Sequence, residues 1–295
     1  MRYRFFPMSG PLFVACLLAL LGGMAHAQRV TLRIEGHLTA SAEYIAGQRD
    51  KPAVLILHGF LQTNEFPTVR QLTRHLADAG YSVLAPTLSL NIANRKRSLP
   101  CEAIHTHEMP GATREIGLWL DWLKKRRGAI VLLGHSFGTV HLLAYHEAHP
   151  DPAIQKLIGI SLVEGGPYKS DSARRDRLLR ELRRQAARPE PTLANHPVSF
   201  CKNYRSTARG LLSYLEWTPD RVLESINTSR LSMAFIMGSG DERLDQGWIQ
   251  RLQTTSAKTH VIQGANHFMD GQHEFDMLDS LLGELNDKNG PAKTQ

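Results

Sequence analysis

The most constraining feature of the sequence is the pentapeptide GHSFG at 134–138. It lies between an apolar run at 130–133 and a helical pattern that begins at Thr139. A serine at such a strand-to-helix turn adopts strained backbone angles. The residues two positions away on either side must be small, because the strand and the helix approach each other closely. The pattern therefore predicts that Ser136 is presented as a nucleophile at the carboxyl end of a buried strand.

Short apolar runs alternate with amphipathic stretches along most of the chain. The run 53–57 is apolar at every position, which is typical of a strand buried on both faces of a parallel sheet. Residues 66–79 have apolar side chains at helical spacing, and Gly80 follows them. The other predicted strands are 30–34, 38–44, 81–85, 129–133, 157–163, 233–237 and 259–262, and the other predicted helices are 110–127, 139–148, 245–255 and 273–285. Strands separated by single helices predict an α/β fold with a mostly parallel, doubly wound sheet.

The segment 166–230 breaks this alternation. It contains an arginine-rich stretch at 173–188 that is followed by three prolines, and a single crossover helix does not need its length. We expect it to be an inserted cap over one edge of the sheet. Residues 28–165 and 231–295 would then form the core of the fold.

The serine turn and the order of elements resemble the α/β-hydrolase superfamily, in its esterase and lipase branch, over nearly all of residues 29–285. In that superfamily the nucleophile is followed along the chain by an acid and then by a histidine. Asp241 leaves the strand that follows the insertion, so the resemblance assigns it as the acid, with Glu242 and Asp245 as competitors. His267 lies after the last strand and ahead of the final helix, and the resemblance assigns it as the base.

Acyl transfer also needs backbone N–H donors for the negative oxygen that develops in the transition state. One donor would be the N–H of Phe137, immediately after the nucleophile. The turn 58–60 follows the strand 53–57 and resembles the family's HG-x turn. That resemblance assigns the second donor to the N–H of Phe60, with Leu61 as the alternative.

These residues predict an enzyme that cleaves an ester or similar acyl bond of a small-molecule substrate through an acyl-enzyme. Ser136 would attack, His267 would take and return the proton, and Asp241 would stabilise the imidazolium. Two alternatives stay open: an inactive binding protein that keeps the fold, and an acyltransferase. We expect no metal and no redox or nucleotide cofactor, because the sequence has neither a dinucleotide-binding fingerprint nor a P-loop.

The first 27 residues have the pattern of a secretory signal peptide. Arg2 and Arg4 precede an apolar core at 12–21, and Ala25-His26-Ala27 is a small-residue cleavage site. The apolar run is shorter than the roughly 20 residues that a membrane-spanning helix needs, which disfavours an uncleaved anchor. We expect a mature protein that is periplasmic or secreted.

Two cysteines, Cys101 and Cys201, remain after the leader. An even number in an exported protein suggests a disulfide, here between a core loop and the cap, with two free thiols as the alternative. His105 and His107 follow in the same loop and alternate as metal ligands on an extended segment do. Only Glu102 could add a third ligand, so we expect polar loop contacts or contact with the substrate instead.

The formal net charge of +7 invites a role in binding nucleic acid or a membrane surface. Two of these charges leave with the leader. The segment 171–190, with seven arginines and four acids, accounts for three more. A solvated helix face explains that segment most simply, and an anionic membrane surface or substrate is the alternative. We expect no nucleic-acid partner, since no binding motif accompanies the charge. The sequence does not indicate an oligomeric state.

Overall fold

The computed structural model describes residues 26–165, 172–191 and 193–287. The leader predicted at 1–27 therefore lies almost entirely outside the described residues. The strands are β1 (Gln28–Glu35), β2 (Leu38–Ile45), β3 (Ala53–Leu57), β4 (Ser82–Thr87), β5 (Ile104–His105), β6 (Ile130–His135), β7 (Ile154–Ile160), β8 (Leu193–Val198), β9 (Cys201–Thr207), β10 (Ser232–Gly238) and β11 (Lys258–Ile262). The helices are α1 (Pro67–Asp78), α2 (Met109–Lys124), α3 (Phe137–Ala148), α4 (Ser172–Ala186), α5 (Ala208–Leu215), α6 (Pro219–Thr228), α7 (Trp248–Gln253) and α8 (His273–Asn286).

Eight of the strands form one sheet in the order β1-β2-β4-β3-β6-β7-β10-β11. The pairs from β4 to β11 are parallel, and β1 and β2 add an antiparallel edge. The predicted α/β class with a mostly parallel, doubly wound sheet is confirmed. In such sheets, ligands bind outside the carboxyl ends of the strands, where the connecting loops of β3, β6, β10 and β11 lie.

Both faces of this sheet are covered by helices. Within β3, Leu55 and Leu57 belong to the apolar cluster that α2 and α3 complete, whereas Val54 and Ile56 belong to the cluster that α1 and α8 complete. Burial on both faces explains why the run 53–57 contains no polar side chain. The central strands are thereby fixed, and their carboxyl ends provide a rigid platform for loops.

One strand differs from its predicted range. The apolar run at 157–163 predicts a strand of that extent, but β7 begins three residues earlier and ends at Ile160. Ser161 follows with a φ of 51°, which turns the chain out of the extended conformation. Leu162 and Val163 are still buried, so their apolar character reflects packing rather than strand pairing.

The elements α4, β8, β9, α5 and α6 fall in the segment predicted to be a cap. β8 and β9 form an antiparallel hairpin, and β5 pairs in parallel with β9, which gives a second sheet of three strands. The disulfide Cys101–Cys201 joins the same two parts of the chain, with its Cα atoms 5.4 Å apart. The limits 166–230 of the cap stay a prediction. Of the helices in the described part of the chain, none has the length and apolar character needed to cross a bilayer.

Candidate active site

The turn at Ser136 joins β6 directly to α3. Ser136 has φ 55° and ψ −129°, a strained conformation for a residue with a side chain. A Cβ atom at Gly134 would lie 2.5 Å from the Cα of Thr139, and one at Gly138 would lie 2.6 Å from the carbonyl oxygen of Leu57. Both contacts are closer than real Cβ atoms allow, so the two glycines are required by the close approach of strand and helix.

The three residues assigned as nucleophile, base and acid come together at the carboxyl edge of the sheet. The Nε2 of His267 lies 2.9 Å from the Oγ of Ser136, and its Nδ1 lies 2.7 Å from the Oδ2 of Asp241. Both His267 and Asp241 are buried, whereas the competitors Glu242 and Asp245 have exposed side chains. With Nδ1 protonated and donating to the carboxylate, Nε2 is free to accept the serine proton.

The turn after β3 lies against this serine. A Cβ atom at Gly59 would be 3.3 Å from the Cβ of Ser136. Among the described residues, no protein acceptor takes a hydrogen bond from the backbone N–H of Phe60 or of Phe137. The alternative donor, Leu61, has a φ of 59°. The two N–H groups assigned by resemblance are thus available to a developing negative oxygen near the serine.

A buried arginine that the sequence did not single out holds this turn in place. Arg95 is 4 % exposed, and its guanidinium donates to the carbonyl oxygens of Leu88 at 2.8 Å, Leu61 at 3.2 Å, Arg97 at 3.0 Å and Gln62 at 2.6 Å. Burial lowers the pKa of Arg95 to about 10, so the group stays charged at neutral pH. Its hydrogen bonds therefore fix the backbone that follows Phe60.

His58 fastens the same turn from its first residue. Its Nδ1 lies 2.8 Å from the carbonyl oxygen of Gly59, and its Nε2 accepts the backbone N–H of Leu88 at 3.1 Å. Burial, followed by the charge of Arg95, lowers the pKa of His58 well below its usual value. The ring is therefore neutral and structural.

Aromatic side chains from the cap lie on the ring of Phe60. Its ring centroid is 5.4 Å from that of Tyr204, 6.0 Å from that of Tyr214 and 6.0 Å from that of Phe200. The ring of Phe137 completes the cluster at 5.4 Å. Aromatic surface therefore covers the turn that carries one of the two N–H groups assigned by resemblance.

His105 and His107 point into the cap. The Nδ1 of His107 lies 2.7 Å from the hydroxyl of Tyr214, and its Nε2 lies 3.1 Å from the hydroxyl of Tyr204. The ring of His105 stacks on Tyr204 at 4.2 Å, and its Nε2 lies 3.3 Å from the carbonyl oxygen of Cys101. Within the described ranges, no three His, Cys, Asp or Glu side chains are grouped as metal ligands. The structure therefore shows His105 and His107 making polar contacts with the cap and with the loop that adjoins it.

A second carboxyl group lies close to the candidate acid. Glu164 follows β7, is 8 % exposed, and accepts a hydrogen bond from the backbone N–H of Asp245. Burial, together with the charges of Asp245 and Asp241, raises the pKa of Glu164 to about 7, although the hydrogen bond from the N–H of Asp245 acts in the opposite direction. The sequence pattern did not reveal this residue, because its burial depends on the loop after β10.

The arginine-rich segment forms α4. Leu179 and Leu182 are buried on its inner side, whereas Arg177 and Arg180 are exposed on its outer side. Arg183 donates to a carboxylate oxygen of Glu216 at 3.0 Å. The helix is thus amphipathic with a basic outer surface, as the expected solvated helix face requires, and contact with an anionic membrane or substrate stays the untested alternative.

A doubly wound sheet with a strained serine, a histidine and an acid at its carboxyl edge defines an α/β protein of the hydrolase type. A sequence model of the alpha/beta hydrolase family matches residues 54–276, and the chain belongs to this family. Membership of this family supports a hydrolase activity. A search of curated protein sequences found no significant match.

Solved structures with this fold include a lipase and another alpha/beta hydrolase. Est1E from Butyrivibrio proteoclasticus is similar at 15 % identity and a TM-score of 0.60, over 87 % of this chain and 98 % of that one. A monoacylglycerol lipase from Paleococcus ferrophilus is similar at 15 % identity and a TM-score of 0.61, over 88 % and 98 %. The hydrolase GrgF from Penicillium sp. sh18 is similar at 14 % identity and a TM-score of 0.66, over 88 % and 98 %. At these identities the likeness concerns the fold alone.

Proposed function

We propose that the protein is a serine hydrolase that cleaves an ester or a similar acyl bond through an acyl-enzyme on Ser136. The observation that carries the proposal is the continuous chain of hydrogen bonds from Ser136 through His267 to Asp241, at 2.9 and 2.7 Å. A serine hydroxyl is a weak nucleophile, and an adjacent oriented base is what activates it.

The proposed reaction proceeds in two halves. The Oγ of Ser136 attacks the acyl carbon while His267 takes the hydroxyl proton, and the carbonyl oxygen becomes negative. The N–H groups of Phe60 and Phe137 would stabilise that oxygen. The alcohol then leaves with the proton from His267. Water, activated by the same ring, attacks the acyl-enzyme and releases the acid.

Asp241 would act on the ring and not on the substrate. Its carboxylate accepts a hydrogen bond from the Nδ1–H of His267, which keeps the tautomer that leaves Nε2 free to face the serine. When His267 becomes an imidazolium, the buried negative charge stabilises it.

The names of two similar enzymes support an acyl substrate. One of them is a monoacylglycerol lipase, and another belongs to lipolytic enzymes of metagenomic origin. We propose an ester as the substrate of this chain on the same grounds.

We further propose that the protein acts outside the cytoplasm after removal of residues 1–27. The leader pattern of the sequence supports export, and a disulfide such as Cys101–Cys201 persists in oxidising compartments.

A fluorophosphonate probe tests the nucleophile directly. The purified protein without residues 1–27 should be labelled and should hydrolyse p-nitrophenyl esters, and Ser136→Ala should abolish both. Ser161→Ala is the matched control. Ser161 is also a buried serine at the end of a strand, with a φ of 51°, and should keep the label when replaced.

The same experiment separates the alternatives. A wild-type protein that is folded yet neither labelled nor active would favour a binding protein and reject the proposal. A product ester that forms when alcohols are added, with little free acid, would favour an acyltransferase over a hydrolase.

A further inference from the structure

We propose that Arg243 forms an anion subsite at the mouth of the active site, so that the preferred substrate is an ester that carries a carboxylate. This inference rests on the proposed serine hydrolase function and adds the chemical class of its substrate. Here the mouth means the surface formed by Phe200, Arg243 and Phe268.

The first observation is the position of the guanidinium. Arg243 lies two residues after Asp241, and its backbone N–H donates to the Oδ1 of that acid at 3.0 Å. Its side chain lies over the ring of Phe268, at 4.8 Å from the centroid, and Phe268 directly follows His267. The backbone of Arg243 is thus anchored to the proposed acid, and its charge lies on the ring of the residue that follows the proposed base.

The second observation is that the guanidinium contacts a second aromatic ring, which belongs to the cap. It also lies 5.3 Å from the ring centroid of Phe200, in the turn between β8 and β9. The ring of Phe200 in turn contacts that of Phe60, at 6.0 Å, on the side of the proposed oxyanion donors. The positive charge therefore lies between the histidine side and the oxyanion side, and the serine lies between the same two walls.

The third observation is that this charge has no acidic partner among the described residues. Three other arginines there lie on aromatic rings, and each has a polar partner. Arg221, on Trp217, pairs with Glu147, and Arg251, on Trp248, pairs with Asp220. Arg126, on Trp122, donates to the carbonyl oxygen of that residue at 3.0 Å. In the part of the chain that the structure describes, no carboxylate lies within 4.0 Å of the guanidinium of Arg243, and the group makes no hydrogen bond.

The charge of Arg243 also acts on a buried histidine next to the proposed nucleophile. Burial is the main cause that lowers the pKa of His135 to about 3, and the positive charge of Arg243 contributes to this lowering. No described residue takes a hydrogen bond from the half-buried guanidinium of Arg243, so its N–H donors favour an anion that enters beside it. Its planar fork matches the two oxygens of a carboxylate, and the two flanking rings hold its plane.

The test compares charged and neutral esters of similar shape. On the acyl side, p-nitrophenyl hemisuccinate is compared with the p-nitrophenyl ester of monomethyl succinate. On the alcohol side, 4-acetoxybenzoate is compared with its methyl ester. The wild type should prefer the charged member in at least one pair. In that pair, Arg243→Gln should lower kcat/KM for the charged ester by roughly 10- to 100-fold, the size expected for one charge-assisted contact. The neutral ester should change less than about threefold.

Two further variants control for packing and for overall charge. Arg243→Lys keeps the charge without the fork and should retain part of the preference. Arg251→Gln removes the same charge from an aromatic ring elsewhere and should leave the preference intact.

The outcomes separate this inference from the proposed function. If the wild type is labelled by the fluorophosphonate and turns over the neutral esters but shows no charge preference in either pair, the anion subsite is wrong and the hydrolase stands. An equal loss for charged and neutral esters in Arg243→Gln would assign Arg243 to packing alone and would also overturn the subsite. A wild type that is not labelled overturns the function itself.

Discussion

Replacement of Arg95 by methionine is the most direct perturbation of the turn that follows β3. The guanidinium makes four hydrogen bonds to backbone carbonyl oxygens, those of Leu61, Gln62, Leu88 and Arg97, at 2.6 to 3.2 Å. A hydrogen bond from a charged donor contributes about 1.5–3 kcal/mol, and a buried acceptor left alone costs a similar amount. Even if water replaces half of these partners, the free energy of unfolding should fall by about 3 kcal/mol or more.

Activity should fall as well, because the turn carries one of the two proposed oxyanion donors. Loss of one such donor typically lowers kcat by about 10²–10³, and it acts on the transition state more than on the bound substrate. We therefore expect Arg95→Met to lower kcat for p-nitrophenyl esters strongly and to change KM little. Urea denaturation gives the stability, and steady-state kinetics at a temperature where the variant is folded gives kcat.

Arg127 offers a matched control. Its half-buried guanidinium also donates to a backbone carbonyl oxygen, that of Gly47, at 3.0 Å, and to the hydroxyl of Ser82, at 2.8 Å. It lies just before β6, at the edge of the sheet opposite to Ser136. Arg127→Met should lose stability and keep kcat. If Arg95→Met were as stable as the wild type within about 1 kcal/mol, or were less stable with an unchanged kcat, the turn would not depend on this arginine.

Two further predictions concern stability. The disulfide Cys101–Cys201 closes a loop with a sequence separation of 100 residues. Replacement of both cysteines by serine should therefore lower the free energy of unfolding, measured in urea, by about 4–5 kcal/mol. A loss below about 1 kcal/mol would contradict the chain-entropy argument. Burial raises the pKa of Glu164 from 4.5 to about 7, so its contribution is fully present below pH 4.5 and is lost as the pH rises through 7. Relative to the wild type, the free energy of unfolding of Glu164→Gln should therefore be up to roughly 3 kcal/mol higher at pH 8 than at pH 4, as measured by urea titrations. A difference between the two proteins that does not depend on pH would refute the ionisation of Glu164 as the cause.

The elements around the proposed triad could be predicted because each is encoded locally. The pentapeptide at 134–138 carries its own steric requirement, and the contacts that a Cβ atom at Gly134 or Gly138 would meet account for that requirement. The run before Asp241 is apolar, the strand before His267 ends in the apolar pair Val261-Ile262, and each strand is followed directly by a loop. A short apolar run followed by a polar loop fixes the edge of the sheet on which these side chains emerge.

The cap was predicted only in outline. The helix α4 has an amphipathic pattern and was expected, but the small sheet of β5, β8 and β9 was not. β5 contributes only the pair Ile104–His105 to that sheet, and its partner β9 lies about a hundred residues further along the chain. Pairing between strands so distant leaves no periodic signal in either of them. The roles of His105 and His107 were equally hidden, because their partners Tyr204 and Tyr214 belong to the cap.

Arg95 illustrates a different limit. Its neighbours Lys96 and Arg97 make the segment read as a solvated basic loop, yet Arg95 is buried and its neighbours are not. Its partners are backbone carbonyl oxygens, which every residue possesses, so no residue type elsewhere in the sequence signals the interaction. A side chain that binds backbone can be recognised only once the path of the chain is known.

Asp241 and Arg243 lie two residues apart and show where chemistry and selectivity are encoded. The position of Asp241 follows from β10 alone, whereas the surroundings of Arg243 include Phe200, which the cap supplies. Cys201 directly follows Phe200 and is tied by its disulfide to Cys101, so the covalent link holds one wall of the mouth. The proposed triad lies on loops of the sheet, so we expect changes in the cap to leave it intact. The charge environment of an entering ester should change with the cap. We therefore expect the choice among esters to depend on the cap, because the cap supplies Phe200, one of the two rings that flank the charge of Arg243.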